Sequence, residues 1–102
     1  MQITAYNKRE KLYITLRGEL DEHTAAPLRR KADALIESYP QTECAVFNLS
    51  GVSFLDSTAI GFLLGRYKNY KKYGIQTYIT EPTPSADKIL LMSGIYTLMP
   101  KI

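Results

Sequence analysis

Apolar positions along this chain fall into two rhythms, and their alternation sets the expected architecture. From Lys11 to Arg17, Leu12, Ile14 and Leu16 alternate with Tyr13, Thr15 and Arg17, the period of a half-buried strand. Gln2 to Tyr6 predicts a shorter strand, paired with it as a hairpin through a polar turn at Asn7 to Glu10. Gly18-Glu19-Leu20-Asp21 then leaves the strand. Leu28, Ala32, Leu35, Ile36 and Tyr39 recur at helical spacing until Pro40 stops the pattern. Thr24 is the expected cap of that helix, and Pro27 is tolerated if it lies within the first turn. Cys44 to Leu49 is a nearly continuous apolar run, suited to an interior parallel strand buried on both faces.

The stretch from Phe54 to Gly74 carries the strongest helical pattern. Ile60, Leu63, Leu64, Tyr67 and Tyr70 fall at steps of three and four, which predicts one apolar face. Asp56 and Ser57 are both good N-cap residues, because either side-chain oxygen accepts from the free N–H groups of a first turn. Gly74 stands where a helix end favours positive φ. Arg66, Lys68, Lys71 and Lys72 crowd the C-terminal half, complementing the helix dipole. A hydroxyl is thus presented at the positive end of a helix, where phosphate is electrostatically welcome, and Ser57 becomes the candidate functional centre. Ile75 to Thr80 alternates as a further strand. Glu81-Pro82-Thr83-Pro84 reads as a rigid loop, Ser85 as the cap of a short helix ending at Gly94, and Tyr96 to Met99 as a last short strand. Strand and helix alternate from Lys11 onward, which predicts an α/β fold with a mostly parallel sheet and right-handed crossovers.

Composition narrows the class. The 102 residues, 45% apolar and 23% charged, suit one globular domain. No apolar run approaches the roughly 20 residues that cross a bilayer, and MQITAYNKREK lacks the apolar centre of a secretory signal. Cys44 is the only cysteine, so no intrachain disulfide forms and a buried thiol is expected. The expectation is a cytoplasmic protein without membrane attachment. A net charge of +3 reflects solubility more than nucleic-acid binding.

Catalytic patterns are missing. Ser57 lacks the Gly-x-Ser-x-Gly elbow, and the only histidine, His23, precedes it. No His/Cys/Asp/Glu cluster has metal-ligand spacing. Gly61 and Gly65 lie inside a helix with no Gly-Lys-Ser/Thr after them, so no phosphate-cradling loop forms; close packing of the helix on the sheet is the simpler account of this pair. The run from Arg66 to Tyr73 mixes bases with aromatics, but Tyr67 and Tyr70 continue the core stripe and leave a solvated basic end. The expectation is no enzyme, no cofactor, no metal and no nucleic acid.

Asp56-Ser57-Thr58-Ala59-Ile60-Gly61 and Leu64-Gly65-Arg66-Tyr67-Lys68 complete the picture. With Gly18-Glu19-Leu20-Asp21, His23-Thr24, Asn48-Leu49 and Met92-Ser93-Gly94, they make the chain resemble the STAS family of bacterial anti-anti-sigma factors, especially the sporulation type. The family carries Asp-Ser-Ser-Gly at this helix start, so Thr58 and Ala59 depart from it. The resemblance implies a STAS fold: a mixed, mostly parallel sheet, first strand antiparallel, with helices mainly against one face. It implies a partner, an anti-sigma factor that is also a serine kinase, whose capture releases a sigma factor. It implies phosphorylation of Ser57, with Thr58 as second choice, reversed by a PP2C-type phosphatase. Asp21, His23, Thr24, Asp56, Ser57, Thr58, Ala59 and Gly61 are the partner-binding residues it suggests, with Ala59 setting a methyl group beside the hydroxyl. Asp21 is expected near Asp56 at one sheet edge, and Gly18 to shape that loop. Many relatives continue into a further helix beyond the position of Ile102, so surface left here is expected to be exposed, paired with a partner or covered by a second copy; the chain is expected as a monomer, with a dimer as the alternative. The other reading is a STAS protein-interaction or nucleotide-binding module in a different bacterial signalling assembly.

Overall fold

The computed structural model describes residues 1–102. Four strands, β1 (Gln2–Lys8), β2 (Lys11–Leu20), β3 (Cys44–Leu55) and β4 (Gln76–Thr80), lie side by side in that order. β1 pairs antiparallel with β2, while β2–β3 and β3–β4 are parallel. Helices α1 (Glu22–Ser38) and α2 (Ser57–Lys71) make the crossovers between parallel strands, and α3 (Pro84–Ser93) follows β4. The mixed sheet expected from the alternation is present, and its inward rows build the core: Leu12, Ile14 and Leu16 from β2, Ala45, Phe47 and Leu49 from β3, and Ile79 from β4. Each large apolar side chain so buried contributes about 1.5–3 kcal/mol.

Two strands outrun their sequence signals. Gly18 to Leu20 remains in β2, and β3 extends six residues past Leu49 through the polar Ser50, Gly51 and Ser53 to Leu55. The two strands stay paired through register shifts at Thr15/Arg17 and Gly18/Glu19. Glycine makes those shifts possible. Gly18 has φ +119 and its Cα side abuts Met1, whereas a Cβ on Gly51 would lie 3.1 Å from the Leu16 carbonyl oxygen.

Helix α1 starts earlier than expected, because Asp21 rather than Thr24 is its cap. The Asp21 carboxylate accepts from the N–H groups of His23 and Thr24, and the Thr24 hydroxyl accepts from the Asp21 N–H in return, a reciprocal box. Pro27 consequently sits beyond the first turn, where it forfeits one backbone bond on an exposed side.

Helix α2 is rotated from its expected face. Its buried residues are Ala59, Phe62, Leu63, Arg66 and Tyr70, while Ile60, Leu64 and Tyr67 are only half-buried. Contacts with α1 settle the choice. The Tyr70 hydroxyl donates to the Ala32 carbonyl at 2.6 Å, and Arg66 Nε lies 2.8 Å from Asp33 Oδ1. Arg66, expected in a solvated basic end, is thus buried, with its guanidinium over the Phe62 ring. Gly61 and Gly65 do not face the sheet: a Cβ on either would meet nothing within 4 Å.

Thr83, not Ser85, caps α3, with Pro84 in its first turn, and Gly94 ends it in the left-handed region. Tyr96 to Met99 is no strand; Ile95–Thr97 forms a 3-10 turn. Pairing instead occurs just beyond it. The Ile79 N–H donates to the Pro100 oxygen, and the Ile102 N–H donates to the Ile79 oxygen.

Candidate functional site

The site lies where parallel strands β2 and β3 both end. Leu20 is in register with Leu55, and the Asp56 N–H still reaches the Leu20 oxygen at 3.4 Å. The next residue of each strand, Asp21 and Asp56, therefore emerges beside the other at one edge of the sheet. Each carboxylate then caps a helix: Asp21 caps α1, while Asp56 Oδ1 accepts from the Thr58 N–H at 2.9 Å at the start of α2. Two positive helix ends are thus set side by side, each with a fixed carboxylate.

Ser57 is the first residue of α2 and is exposed. Since Asp56 supplies the cap, the Ser57 hydroxyl is left over from the folding chemistry and points to solvent. Thr58 is half-buried, and its N–H is held by Asp56. Ala59, expected among the partner-binding residues with its methyl beside the hydroxyl, has no exposed surface and belongs to the core. Gly61, one helical turn beyond Ser57, is exposed and leaves the strip next to the hydroxyl bare. His23 lies exposed on the first turn of α1, with Nε2 3.7 Å from Glu22 Oε1. Thr24 is tied inward, its hydroxyl donating to the Glu19 oxygen at 2.9 Å.

The sequence reading missed an apolar neighbour of this edge. Phe54 is 52% exposed and Ile89 39% exposed, and they border a hollow of about 200 Å³ with Val52, Leu55, Thr83 and Ala86. Phe54 escapes the core because β3 buries Val52 and Leu55, spaced three apart, so a strict alternation does not place it. A large aromatic two residues before an Asp-Ser cap was the available signal.

The whole chain from residue 2 to 102 matches the model of the STAS domain. The chain belongs to the STAS family. Its relatives include an anti-sigma F factor antagonist of Paenibacillus polymyxa, 35% identical over 100 residues, covering 98% of this chain and 85% of that protein. Among solved structures, the anti-sigma factor antagonist SpoIIAA in its unphosphorylated form superposes with a TM-score of 0.79 at 27% identity, over 99% of this chain and 88% of that one. The phosphorylated form of the Bacillus protein SpoIIAA superposes with a TM-score of 0.71 at the same 27% identity, over 99% and 91%. No helix of this STAS protein is long and apolar enough to cross a membrane.

Proposed function

We propose that this STAS protein is an anti-sigma factor antagonist whose switch is Ser57. It docks the sheet edge carrying Asp21 and Asp56 onto an anti-sigma factor that is also a serine kinase, and so frees a sigma factor in the cytoplasm. It acts by binding rather than by catalysis. Phosphorylation of Ser57 by the docked kinase ends the interaction, and a PP2C-type phosphatase restores it. The observation that carries this reading is the exposed Ser57 hydroxyl beside two capping carboxylates, in a chain similar to anti-sigma factor antagonists, one of them known in a phosphorylated form.

The chemistry of the switch is local. A phosphoserine adds about −1.5 to −2 charges next to Asp56 and near Asp21. The dipole of α2 offsets part of that charge, and the cap is made by Asp56, so the helix persists. The change therefore falls on the partner, through bulk and through like-charge repulsion against any acidic group docked there. About 3 kcal/mol of such repulsion weakens binding roughly hundredfold. The bare strip at Gly61 lets a partner surface approach the hydroxyl closely. Asp21, His23 and Thr24 extend the surface along α1, with the Phe54–Ile89 hollow as its apolar part.

Incubation with the anti-sigma kinase and ATP, followed by phosphosite mapping, tests the assignment. One phosphoryl group on Ser57, absent in Ser57→Ala, is the expected result. Stable kinase binding without modification contradicts the switch, and modification confined to Thr58 moves its centre by one residue.

A further inference from the structure

The sheet has a second face that no helix covers. Register carries Tyr6, Tyr13, Val46 and Tyr78 straight across all four strands at one level of this face. The Tyr6 and Tyr13 rings stack at 5.0 Å, and Tyr6 is 57% exposed. Val46 is buried yet stands apart from the main core cluster. Tyr13, Val46 and Tyr78, with Cys44 and the exposed Ile102, line a shallow depression of about 710 Å³.

Charge on this face is divided. Lys8, Lys11 and Arg17, against the single acid Glu19, leave the β1–β2 half net basic. Glu43 leads into β3 and Glu81 leaves β4, the latter accepting from Asn48 Nδ2 at 2.7 Å. None of these six charges has an ion-pair partner within the chain, whose only pairs are His23–Glu22, Arg66–Asp33 and Lys101–Asp87. Glu10 crowds Glu43 closely enough that their hydrogen bond and repulsion raise the Glu10 carboxyl above its ordinary range. A cation brought to that corner relieves it.

We propose that two copies of this chain meet through the uncovered face, about a two-fold axis parallel to the strands. That rotation exchanges the two halves of the face, so each basic half lies over the partner's acidic half. Lys11 comes within a residue of the level of the partner's Glu43, and Arg17 within a residue of the level of the partner's Glu81. The aromatic row meets itself reversed, Tyr6 against the partner's Tyr78 and Tyr13 against the partner's Val46. Facing sheets pack about 10 Å apart with strands within about 30° of each other, which this axis satisfies. Four strands at about 4.8 Å spacing, in register across the sheet over roughly five to seven residues, give a footprint of roughly 400 Å² per copy. The total of about 800 Å² lies below stable specific interfaces and in the range of weak, transient ones, so the dimer dissociates on dilution. Because the axis runs along the strands, both Ser57 edges point the same way. On the reading of Ser57 as the switch, the pair presents two docking edges to one two-fold partner, raising avidity.

Sedimentation equilibrium on the full chain, from low micromolar to near-millimolar concentration, tests the contact without any partner. The expected result is a reversible monomer–dimer equilibrium. Tyr6→Lys at an exposed position and the charge reversals Arg17→Glu and Glu81→Lys should each weaken dimerisation roughly tenfold or more, with melting curves of the dilute variants showing that they fold. The double variant Arg17→Glu/Glu81→Lys should recover most of the loss, because the axis brings these two positions together. A monomer at every concentration overturns the proposal and leaves the face to a different protein. A dimer indifferent to Tyr6→Lys, or charge reversals without rescue, overturns the geometry. Since none of these residues lies at the Ser57 edge, failure here leaves the phosphorylation switch standing.

Discussion

Arg66 shows how one side chain sets the relation between two helices. It is 5% exposed, its Nε is 2.8 Å from Asp33 Oδ1, and its Nη1 has no hydrogen-bond partner. The short Nε distance comes without hydrogen-bond alignment, so the pair acts chiefly as neighbouring charges. Burial lowers the Arg66 pKa, opposed by the charge of Asp33, while burial followed by Asp33 raises that of Tyr70. An unpaired buried cation is costly, whereas Asp33 is a third exposed and also accepts from Asn69 Nδ2 at 3.0 Å. The two halves of the pair are therefore unequal. Asp33→Ala should cost about 2–4 kcal/mol, and Arg66→Met less than about 1.5 kcal/mol. Denaturant midpoints of the two variants check the order; equal losses would contradict it. Sequence alone placed Arg66 on the solvated side, because a charge inside an apolar pattern is ordinarily read as exposed. Only the facing helix, with Asp33 and the Ala32 carbonyl, reverses that. Asp56 and Ser57 were legible for the opposite reason: capping is settled within three residues. Asp21 was misjudged because Thr24 also caps well, and a reciprocal box uses both.

At the scale of elements, α2 is apolar on nearly every side of its first half. Ala59, Ile60, Phe62, Leu63 and Leu64 surround the axis, so spacing predicted a helix but could not fix its rotation. The rotation exposes Gly61 and bares Gly65, each at a helix cost of about 1 kcal/mol without a packing return. Gly65→Ala should therefore stabilise the fold by about 0.5–1 kcal/mol. Gly61→Ala should stabilise it similarly while weakening partner binding, since its methyl enters the strip beside Ser57. Melting and binding curves of the two variants separate these effects; unchanged affinity in Gly61→Ala would remove that strip from the docking surface. Helix α3 is tied to the C-terminal segment by Asp87, which accepts from the Tyr96 hydroxyl at 2.6 Å and from Lys101 Nζ at 2.9 Å. The Tyr96 bond, then Lys101, hold the Asp87 carboxyl below its ordinary value of 3.8, and burial keeps the Tyr96 hydroxyl protonated by raising its pKa. A depressed carboxyl stabilises the fold above its unfolded pKa and loses that contribution as pH falls through its folded one. Asp87→Asn should thus melt below the parent protein at neutral pH, with the gap closing as pH falls below the ordinary carboxyl value of 3.8 and through the lowered folded one. A gap independent of pH would contradict the charged role of Asp87.

For the whole molecule, strand–helix alternation made the mixed sheet legible, and with it the meeting of Asp21 and Asp56. Parallel neighbours end at the same edge, so two strands each followed by an Asp cap bring those caps together. The reach of β3 beyond Leu49 was not legible, because Ser50, Gly51 and Ser53 read as a loop until β2 lies alongside. The tyrosines of the uncovered face were equally hidden, since alternation identifies a polar side without showing whether a helix returns over it. The fold places Ser57 on a rigid edge with its helix capped by a neighbour, so the central claim is that phosphorylation changes affinity and not structure. The most direct measurement is a calorimetric titration of the anti-sigma kinase with this STAS protein, unmodified and phosphorylated on Ser57, beside circular dichroism of both forms. The account predicts binding of the unmodified form, affinity lower by roughly a hundredfold or more after phosphorylation, and unchanged helix content. Equal affinities, or loss of binding together with loss of helix, would contradict it.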